Sequence, residues 1–196
     1  MLVLAERGGR RFSQAISEGD GISVIVEVDG PDAARAAASG GAEALVIRGN
    51  VAGVRDATEL PILWSKSGPV DEAAQAGADA YLISAAELES DDGERLRDAA
   101  ARAIELGLDW VVSVGDEDEL ERALELHDPE IFHLTGGDLE HALELLADVP
   151  AGKLAIAEAT SVTREQVLEL ERAGVDAVIV RALDVAELVG GAPPAV

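Results

Sequence analysis

The sequence predicts an α/β fold, a compact (βα)8 TIM barrel with eight parallel strands in a ring and helices on the outside. Short, nearly continuous apolar runs recur along the chain, at intervals of about 22 residues. Helical patterns lie between the runs. Several runs follow the same lead-in, a glycine, one further residue and an acid. So many strands favour a closed ring over an open doubly wound sheet.

The predicted strands are apolar over nearly their whole length, as expected of strands buried on both faces. In chain order they are Ile22–Val28, Ala44–Arg48, Pro61–Ser65, Ala80–Ser84, Trp110–Val114, Ile131–Thr135, Leu154–Glu158 and Ala177–Arg181. A glycine ahead of a strand suits the C-cap of the preceding helix. The similar lead-ins are Gly41-Ala-Glu, Gly77-Ala-Asp, Gly107-Leu-Asp and Gly174-Val-Asp.

The segments between the strands show the amphipathic spacing of helices. The clearest of these segments are Asp91–Leu106, Asp116–Leu126, Asp138–Ala147 and Thr163–Ala173. Thr163 and Gln166 fit a capping box, and Pro31 fits a helix start. The pattern fades between Val51 and Leu60, so the helix after the second strand is expected to be short or irregular.

The chain length leaves room for one barrel domain, assigned to residues 21–196. Residues 1–20 form an N-terminal segment ahead of the first strand. Within this segment, Phe12–Ser17 is predicted to form a short helix that closes the bottom of the barrel.

Composition excludes several classes of function. The chain has 39 acidic and 15 basic residues and a formal charge of -24, which argues against nucleic-acid and membrane partners. It has no cysteine, which excludes disulfides, thiolate catalysis and zinc–thiolate sites. The apolar start Met1–Ala5 is too short for a secretory leader, and no apolar run is long enough to span a membrane. We expect a cytoplasmic monomer without cofactor or metal.

Candidate site residues lie where the strands end, because barrel sites form at that face. Three cations, Arg48, Lys66 and Arg181, come to one mouth of a very acidic protein, as an anionic ligand would require. Strands eight, one and two are neighbours in a closed barrel, so Arg181 and Arg48 should flank Glu27.

Glu27, Glu158 and Lys66 are the candidates for acid–base chemistry. A structural ion pair with Arg48 or Lys66 is the alternative for Glu27, and a solvated strand end is the alternative for Glu158. The histidines are not spaced as a metal cluster, and His133, on a strand, is interpreted as a core or rim residue.

The order of these segments, from about Phe12 to Leu188, resembles the indole-3-glycerol-phosphate synthase family. The first-strand segment Gly21–Val28 resembles the family's first strand with its catalytic glutamate. The other segments that carry the resemblance are Leu60–Leu63, Gly77–Leu88, Asp116–Leu124, Gly137–Leu139, Ala157–Ala159, Thr163–Val167 and Ala173–Val178.

The resemblance implies a carbon–carbon lyase of tryptophan biosynthesis, which closes an indole ring with loss of carbon dioxide and water. Glu27 and Glu158 would match the family's strand-one and strand-seven glutamates. Lys66 would match its strand-three lysine after a one-residue shift. Arg48, Arg181 and Thr160 would bind the anionic groups of a small phosphorylated or carboxylate-bearing ligand.

Several positions depart from the family's pattern. Asp29 stands in place of a lysine, Ser113 in place of a glutamate and Thr135 in place of an asparagine. Ala159 and Ala182 stand near the phosphate-binding positions. A non-catalytic barrel or an anion-binding protein that lost the synthase activity is therefore the main alternative. A different phosphate-handling barrel reaction, such as sugar-phosphate isomerisation, is a further alternative.

Overall fold

The structure is a computed structural model, and it describes residues 10–18, 21–49, 52–84, 94–159 and 163–181. Within these ranges, none of the helices has both the length and the apolar composition that crossing a membrane requires. The predictions that fall on Thr160 and Ala182 lie outside the described residues.

Eight parallel strands close into a barrel in chain order, which confirms the predicted fold. The ring is closed by β8, which pairs with β1 through residues 177–181 and 23–27. The strands are β1 (Ser23–Glu27), β2 (Ala44–Ile47), β3 (Ile62–Trp64), β4 (Ala80–Ser84), β5 (Asp109–Val114), β6 (Ile131–Leu134), β7 (Leu154–Ala159) and β8 (Ala177–Arg181).

Eight helices accompany the strands in the described residues, and four of them occupy the segments with the clearest amphipathic patterns. The eight helices are α1 (Arg11–Ser17), α2 (Pro31–Ser39), α3 (Val54–Ala57), α4 (Val70–Gln75), α5 (Glu94–Glu105), α6 (Glu117–His127), α7 (Leu139–Leu146) and α8 (Arg164–Ala173). The helix after the second strand, α3, is a single turn, as expected. Thr163 caps α8 in a capping box with Gln166, and Gly174 ends the same helix with φ 98°.

The core has two layers because successive side chains of a strand point to opposite faces. The outer layer, between strands and helices, includes Val24, Val26 and Trp64. The inner layer fills the barrel, and two side chains of α1, Phe12 and Ile16, are fully buried against it. The other members of the inner layer are Ile25, Ala44, Val46, Leu63, Ala80, Val111, Ile131, Ile156, Ala177 and Ile179.

The acid of each lead-in accepts a backbone N–H at the bottom of the barrel. Three of these acids bind the first residues of a neighbouring strand, and Asp109 binds the N–H of Ser13 in α1 at 2.8 Å. These bonds explain why the lead-in recurs, because each supplies a partner for an otherwise unpaired strand amide. The strand contacts are Val24 to Glu43 (2.9 Å), Ile62 to Asp79 (3.0 Å) and Ala155 to Asp176 (2.7 Å).

Candidate active site

The inward positions at the carboxyl end of the barrel carry polar residues on every strand. Each of these residues lies two positions beyond an apolar residue that packs in or against the inner layer, and the alternation of strand side chains therefore directs it inward. They are Glu27, Arg48, Ser65, Ser84, Ser113, His133, Glu158 and Arg181.

Two arginines converge on Glu27, as the sequence predicted. Glu27 and Arg181 are register partners on β1 and β8, and Arg181 Nε lies 3.5 Å from Glu27 Oε2. Arg48 Nε approaches the same oxygen at 3.7 Å from the other side. The Glu27 side chain is about one quarter exposed, so this carboxylate lies near the surface of the mouth between two guanidinium groups.

Arg48 also reaches across the mouth to Glu158. It follows β2, whereas Glu158 lies on β7, and both β1 and β8 lie between them in the ring. Arg48 Nη2 is 2.9 Å from Glu158 Oε2, and His133 Nε2 is 3.1 Å from the same oxygen. The contact with His133, followed by that with Arg48, lowers the pKa of Glu158 to about 2. Glu158 is therefore an ionised carboxylate at neutral pH.

His133, which the sequence analysis interpreted as a core or rim residue, lies in the mouth beside Glu158. Its side chain is 4% exposed and lies between Ser113 on β5 and Glu158 on β7. His133 Nδ1 is 3.1 Å from Ser113 Oγ, so the imidazole joins a hydroxyl to a carboxylate. The signal that could have found both residues is their inward position two places after Val111 and Ile131. We call the connected set Arg181, Glu27, Arg48, Glu158, His133 and Ser113 the rim network.

Lys66 does not join the rim network. Its Nζ lies 3.2 Å from Glu72 Oε1 on α4 and 5.4 Å from the centre of the Trp64 ring. Trp64 belongs to the outer layer, and its Nε1–H donates to the Lys66 carbonyl at 2.8 Å. Lys66 is two residues beyond Trp64, so its side chain lies on the same, outward face as that of Trp64. Ser65 takes the inward position.

The mouth is chemically asymmetric. The charged groups lie on β7, β8, β1 and just after β2, whereas the inward residues of β3, β4 and β5 are serines. The charged side can bind and orient anionic groups, and the serine side offers small hydroxyl groups beside it. In the part of the chain that the structure describes, no group of three or more histidine, aspartate or glutamate side chains is arranged to hold a metal ion.

Comparison with known sequences identifies a family. A family model described as indole-3-glycerol phosphate synthase matches residues 50–183. Curated proteins of that description include one from Magnetococcus marinus, 38% identical over 132 residues, or 62% of this chain and 48% of that protein. Another, from Variovorax paradoxus, is 37% identical over 140 residues, or 64% of this chain and 50% of that protein. The chain spans about half the length of the curated relatives it matches.

Comparison with solved structures supports the fold. The N-acetylmannosamine-6-phosphate 2-epimerase from Clostridium perfringens superposes with a TM-score of 0.67 over 84% of this chain and 87% of that protein. The sequence identity is 17%, so this likeness concerns the barrel alone.

Proposed function

Because the chain belongs to the indole-3-glycerol phosphate synthase family, we propose that its barrel mouth binds 1-(2-carboxyphenylamino)-1-deoxyribulose 5-phosphate and closes the indole ring. The reaction releases carbon dioxide and water. The observation that carries the proposal is the convergence of Arg48 and Arg181 at one rim, beside the two glutamates of the family pattern. The substrate carries a phosphate and a carboxylate, and two guanidinium groups are matched to such a pair of anions.

The electrostatics of the whole chain make this local arrangement informative. A formal charge of -24 repels an anionic ligand at long range. The arginines at the mouth act over a few ångströms, where salt screens much less than over the Debye length of about 10 Å at 0.1 M salt. Raising the salt concentration should therefore speed the approach of the substrate more than it weakens its contacts.

Within the proposed complex, the ligand's anions exchange with carboxylates of the rim network. Arg181 is the more available cation, since its side chain is 64% exposed and its contact with Glu27 is long. Arg48 is about one third exposed and already contacts Glu158 at 2.9 Å. We expect Arg181 to take the phosphate and Arg48 the carboxylate, with the uncharged part of the ligand over the serine side.

A second candidate is an anion-binding barrel without ring-closing activity. Two observations favour it. Lys66, the only lysine near the mouth, contacts Glu72 and Trp64 instead of the rim network. Glu158 is held as an ionised carboxylate by two partners, which makes it a weak base.

One pair of measurements separates the two candidates. At saturating substrate, the ring-closing enzyme should gain about 5 °C or more in melting temperature and should generate indole fluorescence. The anion-binding barrel should show the thermal shift without fluorescence. Inorganic phosphate should then raise the melting temperature about as much as the synthase substrate does. Both measurements are made at low and at high salt, and no shift at either salt concentration excludes both candidates.

Matched arginine variants test the location of the site. Arg48→Gln and Arg181→Gln should each weaken substrate binding about tenfold or more. Arg35→Gln removes the same charge from an exposed pair on α2 and should leave binding unchanged. Equal effects of all three variants would mean that the arginines act only through net charge, and the proposed mouth would be wrong.

A further inference from the structure

His133 is a buried imidazole that is connected on both sides. Ser113 on β5 faces Nδ1 at 3.1 Å, and Glu158 on β7 faces Nε2 at 3.1 Å. The nitrogen facing an ionised carboxylate carries the ring proton, so Nδ1 accepts the hydroxyl proton of Ser113. This line of hydroxyl, imidazole and carboxylate is the arrangement that fixes a histidine for proton transfer.

Three other side chains of the rim network are poorly suited to exchange protons near neutral pH. Glu158 is already ionised, and the two arginines keep their protons at any ordinary pH. Histidine is the side chain type whose charge ordinarily changes between pH 5 and 8.

The contacts within the rim network are not all aligned as hydrogen bonds. The contact of Nε2 with Glu158 is short but is not aligned as a hydrogen bond. Further buried atoms without an aligned partner lie on the same carboxylate-bearing side of the mouth: Glu27 Oε2, Arg48 Nε and Arg48 Nη2. These atoms lie within ion pairs of the rim network, so polar atoms of a ligand can take the place of their present partners.

We propose that His133 is the acid–base residue of this mouth, in the role for which the sequence suggested Lys66. The inference rests on the proposed function. It accounts for the outward position of Lys66, since the mouth then has its own proton donor. Glu158 acts as a positioning residue, since its carboxylate holds the imidazole.

The proton balance of the reaction fits one recycled imidazole. In its imidazolium form His133 is the proton donor: the aryl carbon bonds to the ketone carbon, and the ketone oxygen takes the π-electron pair and a proton from Nε2. Carbon dioxide leaves, and its bonding electrons restore the aromatic ring. The hydroxyl leaves as water with a second proton, and the methylene beside the nitrogen returns one proton. A substrate that enters as a carboxylate thus consumes one proton from solvent per turnover.

The test compares His133→Asn with His127→Asn, since His127 on α6 lies outside the rim network. For His133→Asn we expect kcat to fall about 100-fold or more, with little change in KM. The alkaline limb of the kcat–pH profile, along which the donor loses its proton, should disappear in this variant and persist in His127→Asn. Melting temperatures check that both variants fold. A folded His133→Asn variant that keeps the rate and the profile overturns the inference.

A readout without turnover separates this inference from the proposed function. With the histidine ring nitrogens labelled with 15N, His133 is assigned by comparison with His133→Asn. We expect Nε2 to carry the proton at neutral pH, and Ser113→Ala to shift the Nδ1 signal. A ring that holds one protonation state from pH 5 to 9, with and without substrate, overturns the role of His133. Absence of both binding and turnover in the wild-type protein instead overturns the proposed function.

Discussion

Replacing Glu158 by glutamine should make the protein less stable and change how its stability depends on pH. The contacts with His133 and Arg48 lower the pKa of Glu158 from 4.5 to about 2. A shift of that size corresponds to about 3 kcal/mol in favour of the ionised form in the folded protein. Arg48 is about one third exposed, so solvent screening reduces the gain. We expect Glu158→Gln to lose about 1–3 kcal/mol at pH 7.

The sign of the pH dependence follows from the direction of the shift. A lowered pKa in the folded state gives stability that is present above pH 4.5 and is lost as the pH falls toward 2. Between pH 4.5 and 2, Glu158 binds a proton in the unfolded wild-type chain but not in the folded protein. In the variant, the glutamine side chain binds no proton in either state. Below pH 4.5 the wild-type protein should therefore lose up to about 1.4 kcal/mol more per pH unit than the variant.

Urea unfolding at several pH values between 3 and 7 measures this difference, with Trp64 and Trp110 as fluorescent probes in β3 and β5. His133→Asn and Arg48→Gln, each alone and combined with Glu158→Gln, divide the effect between the two partners. If the stabilities of wild type and Glu158→Gln run parallel between pH 3 and 5, Glu158 has an ordinary pKa and the described contacts do not hold it.

Three further predictions concern the barrel itself, each measured by urea unfolding. Phe12→Ala should cost about 3–5 kcal/mol, since the side chain is fully buried, whereas Ile104→Ala at an exposed position should cost under about 0.5 kcal/mol. Burial raises the pKa of Asp176, so its charge costs stability as the pH rises through that pKa. Asp176→Asn should equal or exceed the wild type at pH 7, whereas Asp176→Ala should lose about 1–3 kcal/mol with its amide contact. Gly136→Ala should cost more than Gly152→Ala: both positions have φ above 90°, but only at Gly136 would a Cβ meet a carbonyl oxygen, at 3.2 Å.

The fold could be predicted from the sequence because it is specified by repeated local patterns. Eight apolar runs and their lead-ins each report on one strand, so an error in one segment would not change the architecture. The lead-in acids also have a physical reason that the pattern alone did not reveal. Glu43, Asp79 and Asp176 bind strand amides, and Asp109 binds the helix that closes the bottom of the barrel.

The site was harder to predict, because it depends on which face of a strand a residue occupies. Ser65 and Lys66 are adjacent in sequence, yet the structure directs one inward and the other toward α4. A functional preference for lysine led to Lys66, whereas counting by two from Leu63 leads to Ser65. Counting by two from Val111 and from Ile131 leads in the same way to Ser113 and His133. Arg48 reaches Glu158 across two intervening strands because its side chain is long. Strand order alone does not predict this contact.

The carboxylates at the bottom of the barrel and those at its mouth have different kinds of partner. At the bottom, acids ahead of the strands bind main-chain amides. Every residue except proline has an amide N–H, so these contacts survive most substitutions of the residues that donate it. At the mouth, Glu27 and Glu158 bind side chains, which can be exchanged without disturbing the backbone. A directed-evolution library confined to Ser65 and Ser84 would thus sample new substrate specificities on a scaffold whose assembly is secured at the opposite end.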